Sequence, residues 1–192
     1  MRVYFFGKPE KQLLGVYHPP QTALPRKQGV VLCYPLGHEY VNARRTFRVL
    51  ASRLARSGFH VLRFDYFGTG DSAGDEREGN LGQWTQDVRA AMDELRESQG
   101  VQSVSLVGLR LGATIAALAA DERPEVDRVV LWEPIADGKK YVEDIKGRHQ
   151  AWLETELELR PEAAQYVGAE EVLGHPLTNE LLAELQSIAQ DK

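Results

Sequence analysis

Cysteine is almost missing from this chain: Cys33 is the only one in 192 residues. No internal disulfide can form, and a Cys-rich metal site is excluded. Cys33 sits in the apolar run 30–34, where a buried, inert thiol is expected. Long apolar runs are absent too, and no stretch approaches the roughly 20 residues needed to span a bilayer. The segment MRVYFFGKPEKQL has too short an apolar patch and too many early charges for a secretory signal, so a cytoplasmic location is the expectation. Acidic residues are scarce at first, with three Asp/Glu against eleven Lys/Arg in residues 1–70. That stretch carries +8 and the remainder −13, within a net charge of −5. Arg44, Arg45, Arg48, Arg53 and Arg56 share one expected helix, and the aromatic among them, Phe47, falls in its apolar register. A solvated helix face is therefore expected, with no nucleic-acid partner.

What is present suits one domain with a substantial core: 43 % hydrophobic and 27 % charged residues. Residues 3–6 and 13–17 are short apolar stretches around Gly7-Lys8-Pro9-Glu10, which predicts a hairpin. Residues 29–35 form a continuous apolar run, as in a parallel strand covered on both faces. Helical spacing follows over 41–57, then a strand over 59–64, a helix marked by Trp84, Val88, Ala91, Met92 and Leu95, a strand over 103–107, a helix over 113–120 and a strand over 127–132. This order predicts an α/β fold whose mostly parallel sheet is covered by helices on both faces. After Gly138 no further strand pattern appears. Tyr141, Ile145, Trp152 and Leu153 mark a helix, Glu154, Glu156, Glu158, Glu162, Glu170 and Glu171 an acidic stretch, and Leu177, Leu181, Leu182, Leu185 and Ile188 a last amphipathic helix. We expect a core over 1–137 and a helical cap-like segment over 138–192.

Chemistry concentrates at strand ends. Gly108-Leu109-Arg110-Leu111-Gly112 joins a strand to a helix, and its flanking glycines permit a sharp reversal that holds the central side chain out above the sheet. Tyr34-Pro35-Leu36-Gly37-His38 and Phe64-Asp65-Tyr66-Phe67-Gly68-Thr69-Gly70-Asp71-Ser72 close two other strands. The latter lacks a Gly-Lys-Ser/Thr ending and an immediate helix, which argues against a nucleotide site.

In this order the three motifs resemble the α/β-hydrolase superfamily over residues 29–134, in particular its serine-aminopeptidase and carboxylesterase-like members. The five-residue turn is similar to their nucleophile elbow, the 34–38 loop to their oxyanion loop, and the 64–72 loop to the one after their fourth strand. The chain also resembles bacterial exosortase-associated hydrolase-like proteins, some of which look alike at Gly-Leu-Arg-Leu-Gly and at Trp132-Glu133-Pro134. The resemblance implies a hydrolase of carboxylic esters or amides without cofactor or metal. Arg110, however, stands where the family has serine, and a guanidinium is no nucleophile at neutral pH. The family's last two strands, whose loops carry the catalytic acid and histidine, are also absent.

No catalytic residue is therefore assigned. His38 is the one histidine beside the oxyanion loop, and Ser72 and Cys33 are alternative nucleophiles by residue type alone. Leu36, Gly37, Arg110 and Leu111 are expected to form an oxyanion-like site for an acyl or anionic ligand, rimmed by Asp65, Asp71, Ser72, Glu133 and Asp137. Arg110 is expected either to pair internally with Glu133 or to anchor a carboxylate or phosphate. Four outcomes stay open: a hydrolase, an anion-binding pseudoenzyme, an interaction protein whose open sheet edge takes a second copy or a partner chain, and the N-terminal portion of a longer hydrolase-like protein.

Overall fold

The computed structural model describes residues 1–159 and 171–189. The contacts divide the chain into Met1–Pro134 and Ile135–Lys192. Of the acidic stretch, Glu162 and Glu170 lie outside the described residues.

The first unit is a six-stranded sheet in the order β1-β2-β4-β3-β5-β6. β1 (Arg2–Lys8) and β2 (Lys11–His18) form the expected hairpin, closed by Pro9-Glu10. β2 runs antiparallel to β4 (His60–Phe64), and β4, β3 (Gln28–Cys33), β5 (Ser103–Leu109) and β6 (Val126–Trp132) are parallel. β3 is central, and Val31, Leu32 and Cys33 are fully buried. This is why its sequence is an unbroken apolar run with no alternation.

Three helices make the parallel crossovers. α1 (His38–Arg56) leads from β3 to β4, α2 (Leu81–Gln99) from β4 to β5, and α3 (Leu111–Ala120) from β5 to β6. α2 and α3 pack on each other on one face, and the right-handed crossover rule puts α1 on the other. α1 buries Ala43, Phe47, Ala51 and Ala55, while its Arg44, Arg45, Arg48, Arg53 and Arg56 are exposed. α2 is capped by Asn80, whose side chain accepts from Gln83 N–H, and ends at Gly100 in the left-handed region. A short 3-10 turn (Glu76–Glu78), capped by Asp75, precedes it.

The chain leaves β3 to one side for β4 and later crosses to the other side for β5. The carboxyl ends of β3 and β5 thus diverge, which is where open α/β sheets form a crevice. Both glycine-bearing turns, after β3 and after β5, stand at this point.

The second unit holds α4 (Gly138–Leu159) and α5 (Asn179–Gln186), the latter capped by the Thr178 hydroxyl. It also holds a strand pair missed in the sequence, β7 (Glu171–Val172) and β8 (His175–Pro176). Leu173 and Gly174 join them with φ of 53° and 83°. Two consecutive positive values make a tight hairpin turn. Strands of two residues are too short to show alternation, so the absence of any strand after Gly138 is corrected here. The pair is a separate sheet and adds nothing to the six-stranded one. No described helix is long and apolar enough to cross a membrane.

Candidate functional site

The turn after β5 is dictated by crowding. A Cβ on Gly108 would overlap the Gly112 carbonyl and the Ala113 backbone, and one on Gly112 would overlap the carbonyl oxygens of Tyr34 and Cys33. Neither obstacle is a side chain that can swing away. The glycine at 112 is thus needed for the close approach of the β3 and β5 turns. Between the glycines, Arg110 takes φ 54° and ψ −124° as the N-cap of α3. Its N–H donates to Trp132 O at 2.9 Å, and its carbonyl accepts from Ala113 N–H at 3.0 Å. A side chain in this region costs on the order of 1–3 kcal/mol and persists only where the surroundings enforce it.

Among the described residues the Arg110 side chain meets two carboxylates. Nε donates to Glu39 Oε1 at 3.0 Å, and Nη1 lies 3.7 Å from Glu133 Oε1. Arg110 and Glu39 are both about one-fifth exposed, whereas Glu133 is 71 % exposed. Of these two Glu39 is therefore the tighter partner, with Glu133 as a longer, solvated contact. The sequence named Glu133 because it ends the neighbouring strand, and overlooked Glu39. The available signal was an acidic residue in the first turn of a helix leaving the adjacent turn, a favoured place for a carboxylate. The other oxygen of Glu39, Oε2, is buried without a hydrogen-bond partner among the described residues.

The turn after β3 carries Leu36, half-buried, and Gly37, the N-cap of α1 at φ 57° and ψ −138°. Leu111 opens α3, and the first N–H groups of a helix have no partner within it. These groups and Arg110 are the expected oxyanion-like set. His38 begins α1, but its ring is exposed and its Nε2 lies 3.1 Å from Asn42 Nδ2. Cys33 is fully buried, and burial pushes its thiol up to about 12, so it stays protonated.

Asp65 and Ser72 hold the 65–75 loop in shape. Asp65 Oδ1 accepts from Tyr40 O–H at 2.7 Å and Oδ2 from Asp71 N–H at 3.2 Å. The Ser72 hydroxyl donates to Asp65 O at 2.6 Å and accepts from Leu14 N–H at 2.9 Å. Its oxygen is thus already engaged on both sides. The Asp71 carboxylate is exposed. Asp137 belongs to the second unit, where its Oδ1 accepts from Lys140 N–H at 3.0 Å.

A polar relay backs the β3 turn. Arg63 Nε donates to His18 Nε2 at 3.0 Å, and Arg63 Nη1 to the Tyr34 hydroxyl at 2.9 Å. His18 is buried, and burial beside the Arg63 cation lowers its pKa to about 4, keeping the ring neutral. Among the described residues no group of three or more His, Cys, Asp or Glu could hold a metal ion.

With this geometry in view, the similarities to known proteins fall in place. The family described as serine aminopeptidase, S33 matches residues 26–191. The human mitochondrial palmitoyl-protein thioesterase ABHD10 is 40 % identical over 68 residues, 35 % of this chain and 21 % of that protein. Human protein ABHD12B is 36 % identical over 92 residues, 46 % of this chain and 25 % of that protein. These alignments span about a fifth to a quarter of the curated relatives. Among solved structures, an esterase from Pyrococcus furiosus superposes with a TM-score of 0.64 at 18 % identity, over 82 % of this chain and 60 % of that one. A putative hydrolase from Agrobacterium vitis does so with a TM-score of 0.59 at 20 % identity, over 98 % and 71 %. At such identities the likeness is one of fold.

Proposed function

We propose that this chain, which belongs to the serine aminopeptidase S33 family of α/β-hydrolases, is a pseudoenzyme whose elbow holds a fixed positive charge in place of a nucleophile. The observation that carries this reading is the engagement of Arg110 with Glu39 at 3.0 Å, with Glu133 beyond it. The apex of the turn offers no oxygen or sulfur to attack a carbonyl. The resemblance to exosortase-associated hydrolase-like proteins supports an arginine as the native residue there. An acyl or anionic ligand, in the class suggested by the thioesterase relatives, would have to displace Glu39 from the guanidinium to reach it.

Two measurements test the reading. Incubation with a fluorophosphonate should leave the wild-type chain unlabelled. Arg110→Ser should show no turnover of p-nitrophenyl acetate beyond background, since a serine alone lacks its base and acid. Stoichiometric labelling of wild type, or esterase turnover by the serine variant, would overturn it.

A second reading, as an interaction protein, is favoured by β6. This edge strand leaves Val130, Leu131 and Trp132 each close to half exposed. An edge of this length is a template for another strand. The occupant proposed is β6 of a second copy, antiparallel about a two-fold axis. Light scattering should then give twice the chain mass, and Trp132 emission should shift to the blue on association. A chain that stays monomeric at high concentration would defeat this second reading.

A further inference from the structure

The arginine-rich face of α1 plays no part in the elbow. Between Lys11 and Asp65 the sequence has one acidic residue, Glu39, and that carboxylate is held by Arg110. None of Arg44, Arg45, Arg48, Arg53 and Arg56 has a carboxylate within 4.0 Å among the described residues; Arg44 instead lies over the Tyr40 ring. At helical spacing Arg45, Arg48 and Arg56 form one stripe, flanked by Arg44 and Arg53, along roughly 18 Å of axis. Val41 and Val49 stand exposed among them.

The loop before β3 extends the stripe. Gln21 N–H donates to Ala55 O and Arg26 N–H to Gly58 O, both at 2.8 Å, which fastens the loop to the end of α1. Leu24 between these anchors is 89 % exposed, and Arg26 and Lys27 beside it are exposed cations. Seven cations and three apolar side chains thus share one surface, with no unpaired acid between Lys11 and Asp65.

We propose that this surface docks the protein peripherally on an anionic bilayer, with the cations over lipid headgroups and Leu24, Val41 and Val49 dipping into the interface. Charge complementarity selects an anionic partner, and exposed aliphatic side chains without aromatics for base stacking favour lipid over nucleic acid. The test is co-sedimentation of the full chain with phosphatidylcholine vesicles, with and without about 30 % phosphatidylserine. Binding is expected only with phosphatidylserine and should vanish in high salt. Arg45→Glu with Arg48→Glu and Arg56→Glu should lower it at least ~10-fold, while the three Arg→Lys changes preserve it, because headgroups read charge and not guanidinium shape. Leu24→Ser should weaken it by a few-fold. Equal binding to uncharged vesicles, or full binding by the glutamate variant, would overturn the proposal. So would tighter binding to a short DNA duplex at the same salt, or salt-sensitive dimerisation without vesicle binding.

Discussion

The turns after β3 and β5 stand side by side and use nearly the same backbone, φ/ψ of 57°/−138° at Gly37 and 54°/−124° at Arg110. Each caps a helix without a side-chain hydrogen bond to the backbone. At Gly37 the conformation is relaxed, because glycine enters this region freely. At Arg110 it is strained, and the structure holds it with the Trp132 carbonyl, the crowded Gly108 and Gly112, and the Glu39 carboxylate. Strain at a hydrolase elbow ordinarily presents a nucleophile. Here it presents a guanidinium. The two turns are also joined: Glu39, two residues after Gly37, supplies the anion for Arg110.

Several changes would break or sharpen this contrast. Gly112→Ala forces a methyl into the Tyr34 and Cys33 carbonyls, which cannot move aside. A loss on the order of 3–5 kcal/mol is expected from urea unfolding, with native fold lost at moderate temperature. Acid acts on the β3 turn through the relay from His18 to Tyr34. His18 is lowered from 6.5 unfolded to about 4 folded, so the unfolded chain binds the extra proton first. Stability is full above pH 6.5 and falls by on the order of 3 kcal/mol as pH drops to 4. His18→Gln should flatten that slope in a pH series of unfolding midpoints.

Glu39→Gln should cost roughly 1–3 kcal/mol, as removal of a charged partner from a part-buried cation does. Glu133→Gln, at a solvated carboxylate, should cost less than about 0.5 kcal/mol. The reverse order would show that Glu133 is the anchor. The finest measurement compares Arg110→Ala with Arg110→Gly. Both remove the ion pair, but only glycine relieves the backbone, so the glycine variant should be more stable by about 1–2 kcal/mol. Equal stability would mean that the turn after β5 is as relaxed as that after β3.

Much of this was readable in the sequence because it is local. Glycines at 108 and 112, an apolar strand before them and an alanine-rich helix after them specify the elbow without reference to the rest of the chain. The sheet follows from the order of such units. Glu39 was not readable as the partner of Arg110, since 71 residues separate them and only the meeting of two turns at the switch point brings them together. The start of α1 was placed three residues late, at Val41, because His38, Glu39 and Tyr40 carry no apolar period although they are helical. The Leu173-Gly174 hairpin failed for a similar reason: its signal is a pair of positive φ angles, one at a leucine.

The strand order has a kinetic consequence. The β1–β2 hairpin closes over two residues and can form within microseconds, but the centre of the sheet pairs Gln28 with Ser103, about 75 residues away. The pairings β3–β4 and β3–β5 both require a helix to be laid down and carried across first. Folding should therefore run on the scale of milliseconds to seconds. Until β5 arrives beside β3, the chain has a hairpin and helices but no crevice: the elbow is among the last features to acquire its shape.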